Sequence, residues 1–590
     1  LALVLVALPS VTACDDDNET PATSSNDELT GDGMVGAPAI TAAVAGDGQS
    51  AEVGTALPIA PSMRVTDADG DPVPGVSIEF RVTLGDGTVT GATAETDDDG
   101  TATVGSWTLG PVPGRHELTG EAAGLAPVLF RATALAGVEG SVLPYEGDTQ
   151  FASVGAPVTI PPAVIVRDQE DNPVAGRTVT FAPSAGGGAI TGESVTTGPD
   201  GVARVGSWTL GTTPGENQLT AAVEGLPTVI FRATAVSTEE PVLDLDQDFL
   251  GGLDRPWDLA FAPDGAMFFT ERPGRLRVLP AGETEPRTLA EPDDVNPRTQ
   301  SGMLGVALDP DFATNRRLYV FTSSDRDGDT DNRIRRYQVD ADYTTAQEEA
   351  DILTGMAWGS DGGHSGGRIR FGPDGFLYIT TGDNRAATIP QDLTSLGSKL
   401  LRITTDGTPA PGNPDLGPEA RPEIFAYGFR NPQGIAFRPG SGQIFLCEHG
   451  PNQDDEVTRI RNGGNGGWNP NDGEGNYNGY TGAVMTDTSL PNTMPPAYIV
   501  GDSEGMCGCE FLSGTQWKSW DGRLAIAMLA GRRMIVAQFD TEGTTTLGDV
   551  QNELTGLERL RGIVQGPDGA AYIAVDESAP DGQIWRLAPR

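Results

Sequence analysis

His364 lies in Asp361-Gly-Gly-His-Ser-Gly-Gly-Arg-Ile-Arg-Phe371 and is one of three histidines in the chain, with His116 and His449. An imidazole titrates near neutrality and is the usual proton acceptor when a hydroxyl is oxidised. The glycines on either side leave room for a ligand over the ring. A hairpin-like run, Arg368 to Thr381, follows and ends in Thr381-Gly-Asp-Asn384, whose Asp383 supplies a carboxylate able to orient the imidazole. Other chemical candidates are weaker. Cys507 and Cys509 form a Cys-x-Cys pair with no second pair or nearby histidine to complete a metal site. With Cys447 they make three thiols beyond Cys14, enough for one intrachain bridge at most. Asp325-Arg-Asp-Gly-Asp-Thr-Asp331 has the look of a calcium loop but lacks the closing Glu, and reads better as a solvated hairpin tip.

The elements that must position these residues are strands. The 590 residues include 79 Gly and 45 Pro with few aromatics, a composition that favours short strands joined by tight turns. From Leu243 onward, Pro263-Asp-Gly265, Pro373-Asp-Gly375 and Pro567-Asp-Gly569 each separate two apolar, alternating runs. Pro presets φ and Gly accepts positive φ, so each is a hairpin signal. Five or six such hairpins without a helical stretch predict six blades of about 58 residues, a propeller over 243–590. Upstream the chain repeats itself. Val104-Gly-Ser-Trp-Thr-Leu-Gly110 returns as Val205-Gly-Ser-Trp-Thr-Leu-Gly211, and Phe130-Arg-Ala-Thr-Ala134 as Phe231-Arg-Ala-Thr-Ala235, each offset by 101 residues. Units of that size predict β-sandwiches over 39–136 and 137–238, with Trp107 and Trp208 in their cores. Both resemble bacterial Ig-like repeats, which implies a stalk, with adhesion as the alternative. The fold expected is all-β: two Ig-like β-sandwiches followed by a six-bladed β-propeller.

A formal net charge of −45 repels phosphate backbones and anionic lipid, so nucleic acid is not an expected partner. Leu1 to Pro9 is apolar but too short to span a bilayer, and Ser10-Val-Thr-Ala-Cys14 follows it. This resembles a bacterial lipobox, implying a signal over 1–13, lipidation at Cys14 and a tether over 14–38. The expected location is the cell envelope, with membrane contact only through the lipid.

Six motifs in order resemble the glucose/sorbosone dehydrogenase family, whose soluble aldose sugar dehydrogenases use pyrroloquinoline quinone (PQQ). They are Gln300-Ser-Gly-Met-Leu-Gly through Asp309-Pro-Asp-Phe312, the His364 segment, Thr381-Gly-Asp383, Tyr427-Gly-Phe-Arg-Asn-Pro-Gln-Gly434, Glu448-His-Gly-Pro451 through Asp454-Asp-Glu456, and Glu558-Arg-Leu-Arg561. The resemblance implies oxidation of an aldose at C1. His364 would take the hydroxyl proton, with Asp383 stabilising the imidazolium as it forms. Arg430 would stabilise charge developing on the quinone oxygen, with Asn431 as a neutral donor beside it and Gln300 contacting the sugar. Arg559 and Arg561, spaced i,i+2, would reach the cofactor carboxylates together. Backbone carbonyls of Gly450 and Pro451 would complete the shell of a Ca2+ held by the cofactor, while Asp455 and Glu456 match positions for additional calcium. A respiratory quinone or cytochrome is the implied electron acceptor.

Three positions depart from the best-studied glucose enzymes of that family. Gly363 replaces an acidic neighbour of the base, Ser513 replaces a cofactor-contacting lysine, and Tyr498-Ile-Val-Gly-Asp502 lacks a substrate-side tryptophan. The resemblance therefore implies the reaction and leaves the sugar open. No Cys-x-x-Cys-His haem motif is present. A binding propeller without catalysis, or a calcium-dependent lactonase, would be the competing functions.

Overall fold

Alternating apolar residues and Gly/Pro turns give an almost wholly β chain. A computed structural model describes residues 35–326, 328–470 and 483–590. Cys14, the signal and most of the tether lie outside the described residues. One compact unit comprises the described residues up to Val138 with Gln169–Asn172; the other comprises Glu139–Asp168 and Pro173–Arg590.

The first unit is a sandwich. Strands Ile40–Ala45, Ser62–Thr66 and Thr101–Thr103 form one sheet, and five strands including Ser77–Leu84, Gly114–Ala122 and Val128–Leu135 form the other. Val128–Leu135 alternates buried and exposed residues, as a strand with one face on a core must. The second unit opens with the same arrangement one repeat later. Val89 pairs with Trp107 in the first copy and Ile190 with Trp208 in the second, and both indoles are completely buried.

The rest of the second unit is six four-stranded sheets, taken here as blades 1 to 6 from their inner strands Pro256–Phe261, Met303–Leu308, Gly366–Phe371, Pro432–Phe437, Met506–Phe511 and Leu560–Gln565. Blade 6 takes its outer strand, Leu243–Leu253, from the start of the domain and pairs it with Gly582–Pro589, so the ends close the ring. The Pro-Asp-Gly turns join the first two strands of blades 1, 3 and 6, and Gly265, Gly375 and Gly569 all have φ between +77° and +90°. Apolar clusters fill the six seams between successive blades; Leu304, Tyr319, Phe321, Ile369 and Ile379, for example, pack blade 2 onto blade 3.

The middle of the ring is polar. Arg368, buried on the inner strand of blade 3, donates to the carbonyls of Gln433, Trp257 and Arg561 at 2.9, 3.4 and 3.3 Å, and pairs with buried Asp258. Asp258 also receives a two-pronged Arg370 contact at 2.7 and 2.9 Å. One guanidinium thus ties four blades together beneath the face that carries the motifs. Leaving either charge alone at this depth would cost several kcal/mol, on the order of 3–5, which makes the pair a requirement once one member is present.

Candidate active site

Blade 3 presents the base. His364 stands two residues before the inner strand with φ +53°, between Gly362 at +71° and Gly366 at +67°. A non-glycine residue in this region is strained, and persists because its surroundings over-determine it. Here Gln300 does so: its Oε1 accepts the His364 N–H at 3.0 Å while its own N–H donates to the Gly362 carbonyl at 3.1 Å. The same Oε1 accepts Asn431 Nδ2 at 3.2 Å, and Asn431 Oδ1 accepts the Gly366 N–H at 3.2 Å. Three of the residues singled out from sequence are therefore one connected network.

Asp383 completes it. Its Oδ1 lies 2.6 Å from His364 Nδ1, and both side chains are buried. Its N–H donates to the Arg430 carbonyl at 2.7 Å. The glycine of Thr381-Gly-Asp383 has a steric reason: a Cβ on Gly382 would stand 2.0 Å from the His364 carbonyl oxygen. Sequence reading missed the partner of the second carboxylate oxygen, the indole N–H of buried Trp468, which donates to Oδ2 at 2.9 Å. A carboxylate on Nδ1 keeps the imidazole proton there and puts the lone pair on Nε2. Burial pushes the pKa of His364 below its ordinary value; Asp383 opposes that shift, and the Arg430 and Arg385 guanidinium groups add to it. The ring is thus neutral and able to accept a proton.

Arg430 enters from the link between blades 3 and 4. Its N–H donates to Glu448 Oε2 at 2.9 Å, its Nη1 donates to the His449 carbonyl at 3.0 Å, and its guanidinium lies 5.8 Å from the Trp468 ring centre. Burial raises the Glu448 carboxyl to about 8. Across the ring, Arg561 is buried and donates to Gln433 Oε1 at 2.6 Å and Asp576 Oδ2 at 2.5 Å, while the more exposed Arg559 reaches the same Asp576 at 4.0 Å. Gln433 and Asp576 had not been singled out, because nothing local marks a lone amide or acid as a guanidinium holder.

Gly450 and Pro451 form the turn after blade 4's second strand. A Cβ on Gly450 would lie 1.9 Å from the Gln453 carbonyl. Asp455 pins this turn: Oδ1 accepts the Gly450 N–H at 2.8 Å and the Ser503 hydroxyl at 2.9 Å, and Oδ2 accepts the Glu504 and Met506 N–H groups at 2.9 Å. Four donors saturate this carboxylate, which differs from the calcium role that the resemblance implies for Asp455. Glu456 is buried, accepts the Thr486 hydroxyl at 2.7 Å, and is raised to about 8 by burial and by the neighbouring Glu448. Among the described residues no group of three His, Cys, Asp or Glu side chains is set to hold a metal. Cys447, Cys507 and Cys509 are buried free thiols; Cys507 Sγ lies 3.8 Å from His449 Nε2.

The residues suit an anionic cofactor. Arg430, Arg559 and Arg561 offer cationic donors in a chain rich in acid, the Asn431 amide stands beside them as a neutral group, and buried Ser365 Oγ, beside the base, has no partner among the described residues. The carbonyls of Gly450 and Pro451 are the hard oxygen donors that Ca2+ takes.

Comparison with known proteins matches residues 253–586 to the glucose/sorbosone dehydrogenase family. The aldose sugar dehydrogenase YliI of Escherichia coli is 33% identical over 341 residues, 57% of this chain and 91% of that protein. A glucose-dehydrogenase-type oxidoreductase from Thermus thermophilus superposes with a TM-score of 0.52 at 36% identity, covering 59% of this chain and 100% of that one. The PQQ-bound aldose sugar dehydrogenase of Streptomyces coelicolor gives a TM-score of 0.50 at 28% identity, covering 60% and 99%. With more than half of its length matched, the chain belongs to the glucose/sorbosone dehydrogenase family.

Proposed function

We propose that this chain oxidises aldose sugars at C1 to lactones, with PQQ and Ca2+ as cofactors, on a lipid-anchored protein of the bacterial cell envelope. The observation that carries the reading is the buried His364–Asp383–Trp468 relay, held by Gln300 and Asn431 beside the Arg430 guanidinium. His364 Nε2 takes the proton of the anomeric hydroxyl. Asp383 stabilises the imidazolium that results, and Trp468 keeps Asp383 from turning away. Gln300 spends its carbonyl on the network, which leaves its Nε2 hydrogens to meet a sugar hydroxyl. The chemistry that the cofactor supplies when bound is uptake of the C1 hydride. Arg430 and Asn431 stabilise the negative charge that develops opposite the sugar, at no reorganisation cost because both are already held. Arg559 and Arg561 would hold the cofactor carboxylates, and the Gly450 and Pro451 carbonyls would be the protein's oxygen donors to a calcium ion. Cys14 would carry the lipid, and a respiratory quinone or cytochrome would receive the electrons.

The test is reconstitution of the purified protein with PQQ and Ca2+, followed by titration and turnover of an aldose panel with a dye acceptor. Saturable PQQ binding and oxidation of at least one aldose are expected. Failure to bind PQQ at micromolar concentration overturns the reading; turnover equal in wild type and His364→Asn removes His364 from its role.

A further inference from the structure

Trp468 holds Asp383, and two side-chain amides hold Trp468. The indole follows Asn465-Gly-Gly467, a stretch outside any helix or named strand, so no ladder of hydrogen bonds fixes its backbone. Gln391 Nε2 donates to the Trp468 carbonyl at 2.9 Å and to Asn465 Oδ1 at 3.1 Å, and Gln391 Oε1 accepts Asn465 Nδ2 at 2.9 Å. Asn465 is fixed in turn. Its Oδ1 also accepts the Gly467 N–H at 2.9 Å, its own N–H donates to the Asn492 carbonyl at 3.0 Å, and its carbonyl accepts the Met494 N–H at 2.8 Å. The Trp468 N–H donates to the Gly428 carbonyl at 2.9 Å. A Cβ on Gly428 would stand 2.1 Å from Asn465 Oδ1 and 2.8 Å from Gln391 Nε2, so the glycine of Tyr427-Gly-Phe-Arg430 leaves the space that the two amides fill.

Gln391 belongs to segment 384–398, which leaves Asp383 and returns at Lys399 beside Thr381. The Thr381 hydroxyl accepts the Lys399 N–H at 3.0 Å and donates to the Leu396 carbonyl at 2.6 Å. Buried Lys399 points its Nζ into the segment and donates to the carbonyls of Ile389, Pro390 and Gly397 at 3.0, 3.3 and 2.6 Å. Two of those carbonyls directly precede Gln391, so its place is set. Ala387 of the same segment packs with Met485 and the Trp468 ring. Asp383 is therefore joined to Trp468 twice, through the indole N–H and, by way of its own downstream segment, through Gln391. Mutually satisfied amides away from water are stronger and more directional than in water. We propose that Gln391, clasped to Asn465, is a positioning residue for the base: it fixes the Trp468 indole on Asp383 Oδ2 and so keeps Oδ1 on His364. This rests on the proton transfer to His364 proposed above. Because Gln391 acts through the indole N–H, its loss can cost no more than the loss of that N–H.

The experiment is a double-mutant cycle on the full chain loaded with PQQ and Ca2+, using wild type, Gln391→Met, Trp468→Phe and the double variant. Gln391→Met keeps the shape and deletes the amide. It should lower kcat about three- to tenfold, with the KM for the aldose and the Kd for PQQ within twofold of wild type. In the Trp468→Phe background the same change should cost nothing further in kcat. Gln391→Glu, which keeps the acceptor for Asn465 and removes the donor to Trp468, should repeat this pattern and serves if Gln391→Met does not fold. A second readout needs neither cofactor nor turnover. NMR titration of the histidine Cε1–H signals, with that of His364 assigned by its loss in His364→Asn, should move to lower pH in Gln391→Met. Asp383 raises the His364 pKa, and a loosened carboxylate raises it less; Arg430 and Arg385, which lower it, are unchanged in this variant. A kcat penalty repeated in full in Trp468→Phe shows a structural role alone and overturns the inference. Wild-type kcat in Gln391→Met overturns it as well, and both results leave aldose oxidation standing. If no aldose is turned over by any of the proteins, the proposed function falls, and an unmoved His364 titration in Gln391→Met then overturns the positioning role too.

Discussion

The first sandwich and blade 3 each bury a histidine, and the two are used in opposite ways. His116 faces a turn: its Nδ1 accepts the Gly110 N–H at 3.4 Å and its Nε2 lies 3.0 Å from the Val112 carbonyl. One repeat later Asn217 takes the same place, with Oδ1 accepting the Gly211 N–H at 2.8 Å and Nδ2 donating to the Gly215 carbonyl at 3.1 Å. The turns match as well, since a Cβ on Gly85 would strike His116 at 2.2 Å and one on Gly186 would strike Asn217 at 2.4 Å. An amide replaces the imidazole because the site asks only for one acceptor and one donor near backbone. At His364 the partners are side chains, a carboxylate and through it an indole, and the backbone is held at φ +53°. Burial with satisfied hydrogen bonds is common to both. A charged orienting partner and a strained loop belong to the base alone.

The widest break in that comparison is expected from paired asparagine substitutions. His364→Asn removes the proton acceptor and should lower kcat by about 10²–10⁴-fold with PQQ binding retained, the usual worth of a general base. His116→Asn should leave kcat unchanged, because its bonds stay within the sandwich. Equal losses in the two variants would erase the distinction. Next in size is Asp383→Asn, which turns the imidazole to the wrong tautomer and should cost about 10²-fold in kcat. Trp468→Phe keeps the ring and deletes one N–H; about tenfold is expected for an outer partner of this kind. Steady-state kinetics with one aldose checks all four.

How much of this was legible in the sequence follows from how local each signal is. The Pro-Asp-Gly turns and the alternation on either side are decided within a dozen residues, so the six sheets could be read from turn chemistry. The sandwich repeat declared itself by its 101-residue offset. His364 and Asp383 could be paired because a single hairpin separates them. Trp468 could not, since it lies 85 residues from the carboxylate it serves, within a Gly- and Asn-rich stretch that carries no pattern. Asp455 shows the converse. An acidic run next to Gly450-Pro451 suggests calcium, yet segment 503–506 folds back and spends both oxygens on backbone and hydroxyl donors. Arg385 was passed over because a charge in a loop carries no sign of the empty space at Gly363 that it fills.

A smaller effect concerns pH. The working form of His364 is neutral and its pKa is pushed down, chiefly by burial, so kcat/KM should be level at and above ordinary imidazole values and fall only when pH drops through the lowered pKa. The groups facing the ring predict how that limb moves. Asp383 raises the pKa, so Asp383→Asn should shift the residual limb to lower pH. Arg385 lowers it, so Arg385→Gln should shift the limb to higher pH, by a fraction of a unit. A limb that stays put in both variants would separate the loop from the base. In His116→Asn the limb should stay where it is in the wild type.

The smallest expected effect tests the sandwich side of the comparison. If His116 and Asn217 answer the same demand, exchanging them, His116→Asn in one copy or Asn217→His in the other, should change stability by no more than about 1 kcal/mol, the net worth of one hydrogen bond. The direction should differ. His116 makes a long 3.4 Å bond to Gly110, whereas Asn217 makes a 2.8 Å bond to Gly211, so the amide is the better fit and His116→Asn should be neutral or stabilising. Asn217→His must fit a larger ring beneath Gly186 and should be the costlier change. Urea unfolding followed by tryptophan fluorescence, with buried Trp107 and Trp208 as reporters, reads both. A loss of several kcal/mol for His116→Asn would mean that the imidazole is demanded there too, and that a buried histidine in the sandwich is no guide to what an unused one looks like.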